Sequence, residues 1–490
     1  MLGNSLSKIM QVNPIQRQSI VSFISAIGLT LMGLFSTMYF SHAVGPAILG
    51  TYFLFLAYLG IFSLISDAGL GSAAVQRIAE GKEQSKYFTA FLFLTANLLL
   101  TTAVALVAVQ IFIVDFVGLG IFFWLLAALL VGAIYVAVNS GNVGTGKVGI
   151  SQTAAFVNNT VKIVVQVVAV FLGFGTGGLI GGYLCGLLVG LLLNLRFFEL
   201  RLARFEKRHI QRLFAFSFWI FLSSSGILVY NYTDTILIGY YMTEADIGIY
   251  RVAFQFTSIA SLVAIAFVNS LYPRVSMWGT EQEIHSVESA LSRAFTYSLL
   301  LALPILAGGW ILGDRLLYFF YGEAFATGAP AMVILLATQV AFIFMTLQTM
   351  CLNALDRPRD SFKVTAVSAM VNVILNILLI PGFGILGAAG ATFATMVLNA
   401  VLSYRLLNRI IHVYFELSAV LHIITATVVM TVAVGFVRYL MPLSHITFVI
   451  GAVILGGGLY GLTLLKLDRS IREELQAIAE KTGVPWPAFL

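Results

Sequence analysis

The chain has 490 residues, 60% of them hydrophobic and only 10% charged, with a formal net charge of +6 and a mean hydropathy of +0.97. A water-soluble domain carries about 25% charged residues, so this chain cannot clothe its apolar area in water and belongs in a bilayer. The positive charge sits in short connections between apolar runs, which fits anionic lipid and a positive-inside topology and leaves no surface for DNA or RNA.

The polar start is followed by a first apolar run too long for a signal peptide, with no cleavage motif, and is read as a retained helix. Apolar runs then predict spans at 18–40, 50–72, 88–113, 119–141, 153–173, 178–199, 215–240, 247–272, 292–313, 329–353, 361–380, 386–408, 416–438 and 443–465. Each is near the ~20 residues that cross a hydrocarbon core, and none shows the short alternation of a membrane barrel. The expected fold class is an all-α polytopic membrane protein of about 14 transmembrane helices. Two pseudo-symmetric six-helix lobes are expected, with an N-lobe at 1–200 and a C-lobe at 215–410. A cytoplasmic basic linker at 201–214 joins them, a C-terminal helix pair occupies 411–466, and a cytoplasmic tail follows at 467–490.

With the N-terminus in the cytoplasm, all but four of the 27 Lys and Arg fall on or at the inner side, Lys8 and Lys481 among them. Arg315 and Arg438 fall outside, and Lys162 and Arg251 fall within apolar spans. Such bias is hard to obtain with the wrong span count. An even count puts both termini inside, and the expected location is the cytoplasmic (inner) membrane. The run RLARFEKRHIQRL at 201–213 reads as an amphipathic interfacial linker. Two internal echoes support the lobes: GPAILGTY at 45–52 with TEADIGIY at 243–250, and GFGTGG at 173–178 with GFGILG at 382–387. Parallel repeats of this kind underlie alternating access in many transporters.

Residues 44–77, VGPAILGTYFLFLAYLGIFSLISDAGLGSAAVQR, and residues 230–256, YNYTDTILIGYYMTEADIGIYRVAFQF, carry a family resemblance. SLYPRVS at 270–276, YGEAF at 321–325 and the stretch 352–395 extend it in the same order. The chain resembles the Wzx-like flippases of the polysaccharide branch of the multidrug/oligosaccharidyl-lipid/polysaccharide exporter superfamily. The resemblance implies two lobes around a central cavity and translocation of an undecaprenyl- or dolichyl-linked glycan. It also implies an extra helix pair after span 12, membrane lipids and glycan-assembly enzymes as partners, and a monomer as a sufficient unit.

Charged and amide side chains inside the spans are the candidate site, since each is costly in hydrocarbon without water, a counterion or substrate. Lys162 lies halfway along span 5; it either pairs within the bundle or attracts a diphosphate or acidic sugar. Gln166, one turn on, shares its face. Arg251, near the outer end of span 8, offers a planar donor fork for phosphate or an outer-gate salt bridge, with Asp234 of span 7 as its natural counterion. Asp234 holds a gate or exchanges a proton or sodium ion, with Asn231 beside it. Asp67 orders the inner end of span 2, pairs with Arg77, or faces the inward cavity. Arg77 anchors topology or guides the diphosphate. Asn372 and Asn376 share one face of span 11 and bind sugar hydroxyls or the opposing helix, and Tyr250 is a candidate for stacking on sugar.

Nothing in the sequence supports catalysis or a cofactor. The six His form no metal pattern, Cys185 and Cys351 lie in apolar segments, and GNVGTGKVG at 141–149 lacks the Ser or Thr a phosphate loop needs after its Lys. The expected function is a secondary flippase carrying a polyprenyl-diphosphate-linked oligosaccharide from the cytoplasmic to the outer leaflet, coupled to a proton or sodium ion. The alternatives are an ion-coupled drug or small-solute exporter of the same superfamily, and a membrane glycosyltransferase or ligase, which the short charged connections disfavour.

Overall fold

Backbone polar groups in hydrocarbon find no water, so each apolar run closes its hydrogen bonds internally as a helix. The computed structural model describes residues 14–112, 121–473 and 476. Lys8, Lys481, the predicted turn between spans 3 and 4 and most of the predicted tail lie outside the described residues. Within them the protein is all-α, and eleven helical stretches are long and apolar enough to cross a membrane. The chain divides into two compact units, residues 1–225 and 226–490.

The first unit holds α1 (Pro14–Asp67), α2 (Leu70–Ala79), α3 (Gln84–Phe112), α4 (Ile121–Gly144), α5 (Val148–Phe171) and α6 (Gly175–Arg196). The division falls inside α7 (Lys207–Tyr241). The second unit continues with α8 (Glu244–Thr257), α9 (Leu262–Thr280), α10 (Ile284–Tyr321), α11 (Ala329–Ala354), α12 (Pro358–Leu407), α13 (Leu417–Leu440) and α14 (Ile446–Leu467). Large side chains such as Leu100, Phe123, Val432 and Ile454 are exposed along these helices, as expected where the neighbouring solvent is lipid.

Two predicted loops are absent. Spans 1 and 2 form the single run α1, broken only at Gly45 with φ 75°, and spans 11 and 12 form α12, broken only at Gly384 with φ 57°. A left-handed glycine followed or preceded by proline turns the chain without spending residues on a connection; Pro46 and Pro381 stand at the two breaks. The two GFG echoes are also structurally alike: Gly175, the counterpart of Gly384, has φ 52°.

Within the first unit α5 packs most extensively on α6. The cause is a stripe of glycines four apart, Gly182, Gly186 and Gly190, which lets the backbones approach. A Cβ at Gly186 would lie 2.6 Å from the Asn158 carbonyl oxygen, and one at Gly182 would lie 2.9 Å from the Gln166 nitrogen. The glycines of 141–149 have the same use: a Cβ at Gly144 would meet Ile78 at 2.7 Å and one at Gly141 would meet Phe198 at 2.6 Å.

The basic linker differs from the sequence expectation. Its helix starts at Lys207, ahead of the predicted span 7, and residues 198–206 have no regular structure. They form a strap laid along α3: Ala203 N–H donates to Thr89 Oγ1 at 2.9 Å, Phe198 packs on Phe88 and Phe205 on Phe93. Lys147 fastens one end by donating to the Phe197 carbonyl at 2.7 Å. Glu83 fastens the other, meeting Lys86 at 2.7 Å, Arg208 at 2.9 Å and buried His209 at 3.2 Å. The basic residues that composition assigned to a lipid surface are thus partly spent on this carboxylate. In the second unit, Arg438 makes a two-point ion pair with Asp314 at 2.8 and 3.0 Å, joining α13 to α10, and also donates to the Ile311 carbonyl. Tyr460 of α14 donates to the Leu300 carbonyl at 2.7 Å.

Two measurements check this packing. Gly186→Leu is expected to cost at least about 1–3 kcal/mol and to lower the thermal midpoint, while Gly458→Leu, whose Cβ would meet nothing within 4 Å, leaves it unchanged. The hydrogen bond from Lys86, then His209 and Arg208, holds the Glu83 carboxyl at about 2, below its ordinary 4.5. A depressed carboxyl stabilises above its unfolded value and loses that contribution as pH falls through its folded value. A fluorophore placed through Leu202→Cys is therefore expected to stay immobile down to about pH 4.5 and gain mobility as pH falls towards about 2. In Glu83→Gln it is expected to be mobile at neutral pH already.

Candidate functional site

The polar residues singled out in the sequence divide between the two units. In the first unit α5 carries Lys162, whose Nζ donates to Asn159 Oδ1 at 2.8 Å. Lys162 has no ion pair among the described residues, and its stem packs where a Cβ at Gly186 would lie 2.8 Å away. Gln166, expected to extend that face, is bound into the scaffold: Nε2 donates to the Tyr52 hydroxyl at 3.0 Å and to the Leu179 carbonyl at 2.7 Å. It thereby ties α1 and the start of α6 to α5. Tyr52 was not foreseen as its partner, although a tyrosine and an amide in otherwise apolar spans are natural mates, because each leaves a polar group that hydrocarbon cannot satisfy.

Asp67 ends α1, and the chain turns through left-handed Ala68 and Gly69 into α2. Its Oδ1 accepts the Gly71 N–H at 2.9 Å, in the first turn of α2. Arg77 instead meets Glu80 at 2.5 Å. Asp67 also borders a cavity of about 250 Å³ inside this unit, walled by α1, α3, α4 and α6.

In the second unit Asp234 and Tyr250 are brought together, and both are buried. The Tyr250 hydroxyl donates to Asp234 Oδ2 at 2.5 Å, and Oδ1 accepts from the Thr235 N–H at 2.8 Å. The tyrosine expected to stack on sugar is thus consumed by the carboxylate. Arg251 donates to the Asn231 carbonyl at 3.0 Å and lies over the Phe254 ring at 5.1 Å. Asn231 enters through its main chain, where the sequence suggested its side chain. Asn372 reaches across the fold of α12, whereas Asn376 bonds back along its own helix. Asn372 Nδ2 donates to Thr395 Oγ1 at 3.1 Å across the fold of α12, and Asn376 Nδ2 donates to the Asn372 carbonyl at 2.9 Å. Asn376 Oδ1 is buried without a hydrogen-bond partner. Thr392, Thr395, Asn399 and Ser403 form a polar stripe along the second half of α12, all buried. Their spacing of three and four was a readable signal of this seam.

Among the described residues no group of His, Cys, Asp and Glu is arranged to hold a metal. The site offers isolated charges and hydrogen-bonding amides and hydroxyls inside apolar helices, which suits passage of a polar guest.

Two proteins of Haloferax volcanii align along nearly the whole chain. The probable low-salt glycan biosynthesis flippase Agl15 is 29% identical, covering 93% of this chain and 97% of its own length. The probable flippase AglR is 24% identical, covering 95% and 98%. Among solved structures, a lipid II flippase MurJ in an inward closed conformation superposes with a TM-score of 0.73 at 16% identity, covering 92% of this chain and 99% of that one. An inward-facing multidrug resistance MATE family transporter superposes at 0.63 and 15% identity, covering 78% and 94%. These structural likenesses speak for the fold. The named relatives and neighbours are flippases and transporters, not enzymes. The sequence profile of the polysaccharide biosynthesis protein family matches residues 43–330, more than half of the chain, which therefore belongs to that family.

Proposed function

We propose that this protein is a secondary flippase that carries a polyprenyl-diphosphate-linked oligosaccharide from the cytoplasmic to the outer leaflet. The observation that carries the reading is Lys162: a cation midway along an apolar helix whose hydrogen-bond acceptor is the neutral Asn159 amide. A half-buried cation with a neutral partner keeps its charge for an anionic guest, and a diphosphate is such a guest. The full-length similarity to two proteins named as probable flippases supports the same class.

The finer architecture belongs to this proposal. Dividing the stretch Leu31–Asp67 at Gly45 and Pro358–Leu407 at Gly384, and adding α7, turns the eleven apolar stretches into fourteen passes. Fourteen passes return both termini to the cytoplasm. Two six-pass lobes that rock about a central path would then give alternating access, while the polyprenyl tail stays in lipid. The inside-negative potential contributes about 2.3 kcal/mol per charge per 100 mV to outward movement of the anion. Asp234 is the coupling group of this reading: a buried carboxylate, held by Tyr250 and Thr235, that takes up a proton or sodium ion in one state and releases it in the other.

The test is protein-dependent movement of a defined lipid-diphosphate oligosaccharide in sealed proteoliposomes. Wild-type protein is expected to expose the glycan on the opposite leaflet, with the rate reduced about tenfold or more in folded Lys162→Ala and Arg251→Ala, as loss of about 1.4 kcal/mol of charge stabilisation requires. No movement across several lipid-linked glycans and ion gradients, with folding and orientation verified, would sink the reading and favour a small-solute exporter. Asp234→Asn is expected to transport without response to an imposed proton or sodium gradient. A gradient response equal to wild type would remove Asp234 from the coupling role.

A further inference from the structure

Asp67 is one of six polar side chains around the cavity of about 250 Å³ in the first unit; the others are Ser63, Ser66, Thr95, Tyr135 and Tyr183. Ser63, Ser66 and Asp67 are three and four residues apart and lie on one face of α1. Thr95 comes from α3, and α4 and α6 each bring a tyrosine, Tyr135 and Tyr183, together with aliphatic side chains such as Leu129, Val136 and Leu187. Lysine and arginine are absent from the lining. The lining is therefore amphipathic, with five hydroxyls and one carboxyl group interspersed among aliphatic side chains.

Among the lining residues Thr95 is the one with a buried side-chain oxygen left without a partner. Its neighbours on α3, Thr89, Thr101 and Thr102, each return their hydroxyl to a carbonyl of their own helix at 2.7–2.8 Å. Thr95 Oγ1 is buried, only 6% of the residue is exposed, and it has no hydrogen-bond partner. A buried hydroxyl without a partner costs on the order of 1–3 kcal/mol, and this one sits in a cavity wall. At Gly132 of α4, also in the wall, a Cβ would meet nothing within 4 Å. A large side chain at this position has open space to extend into.

We propose that this cavity is a saccharide subsite that holds one neutral sugar ring of the transported glycan, apart from the place where the diphosphate is held; the inference rests on the flippase reading above. A pyranose is amphipathic in the same sense as the cavity, with apolar C–H faces and a hydroxyl rim. Its hydroxyls donate to Asp67 and exchange hydrogen bonds with Ser63 and Thr95, and its faces lie on the aliphatic walls and tyrosine rings. A diphosphate is excluded, because the only ionised group in the lining is negative. A bare cation would suit the carboxylate but leaves the aliphatic walls and most of the volume without a purpose. The subsite adjoins the cationic seam on α6. Tyr183 and Leu187 face the cavity, and Gly186 and Gly190, on the adjacent face, receive Lys162 and Asn158. Asn158 and Tyr135 both come within 3.1 Å of the position a Cβ at Gly190 would take.

The test uses the full chain in detergent with neutral disaccharides and inorganic pyrophosphate as probes, read by saturation-transfer NMR. Disaccharide binding is expected in wild type, weakened about tenfold or more in Gly132→Leu, which fills the cavity, and severalfold in Thr95→Val, which keeps its volume and removes the orphan hydroxyl. Pyrophosphate binding is expected to be unchanged in both. Equal disaccharide binding in wild type and both variants overturns the subsite, as does disaccharide binding in none of them. Sodium ions that displace the disaccharide at its own site would also overturn it in favour of a cation site. Running the proteoliposome assay on the same proteins separates the two readings. Lipid-linked glycan moved equally by wild type and Gly132→Leu refutes the subsite and leaves the flippase standing. Disaccharide binding lost in Gly132→Leu, with no movement of lipid-linked glycan by wild type, refutes the flippase and leaves the subsite.

Discussion

The hydrocarbon interior supplies no hydrogen bonds, and nearly every feature of this protein follows from that constraint. It makes the spans helical, and it makes each polar side chain within them either part of an internal bond or part of a path. Gln166 satisfies Tyr52 and the Leu179 carbonyl together; Asp234 takes Tyr250 and Thr235; Asn372 reaches Thr395. These groups hold helices in register, because breaking one bond strands two polar atoms in a medium that cannot replace them. Eleven buried side-chain atoms of the described residues are left over after this pairing, the Thr95 hydroxyl and the Asn376 carbonyl oxygen among them, and Lys162 keeps its charge beside a neutral amide. The functional readings rest on that remainder.

Close packing is solved the same way in both units. Gly175 and Gly384 each turn the chain through the left-handed region at matching places in GFG motifs. Three residues later Gly178 and Gly387 accept a neighbour so close that a Cβ would lie 2.9 Å from Ala169 in one and 2.3 Å from the Leu379 carbonyl oxygen in the other. Tyr52 and Tyr250, which share the motif G-x-Y, are both buried and both hydrogen-bond to a polar side chain of another helix. A repeated sequence has thus been kept where the backbone has no alternative, and has diverged where the partner differs: an amide for Tyr52, a carboxylate for Tyr250. At this repeat position only the second half carries a carboxylate.

The spans were legible because lipid imposes length and hydropathy on them. Their junctions were less so. A break at Gly45 or Gly384 occupies one residue, whereas hydropathy assigns a loop wherever Gly, Pro and polar residues cluster. The basic run after span 6 was read as surface because charge there usually meets lipid headgroups. Glu83, more than a hundred residues away in sequence, captures Arg208 and His209 instead, and nothing local announces it. Polar residues in spans were correctly noticed, but their partners depended on tertiary pairing. Asp234 pointed to Arg251 by charge, yet a neighbouring tyrosine one helix away is the closer donor. The cavity residues Ser63, Thr95 and Tyr183 carried no signal, since single hydroxyls in apolar helices ordinarily bond to their own backbone.

A carrier's guest shifts the balance between its states only by the difference in its affinity for them, and one bound equally and tightly to both is simply retained. This favours a division of labour on chemical grounds. In the proposed flippase, charge recognition at Lys162 would be strong and long-ranged, selecting a diphosphate but opposing its release. Hydroxyl recognition in a neutral, half-apolar cavity is weak per contact and depends on shape. Such a cavity tests the sugar while adding little to retention, and a small change in the wall made by α1, α3, α4 and α6 alters its fit. The carboxyl group of Asp67 would sharpen the proposed division, because it can accept from sugar hydroxyls and offers a phosphate no cation.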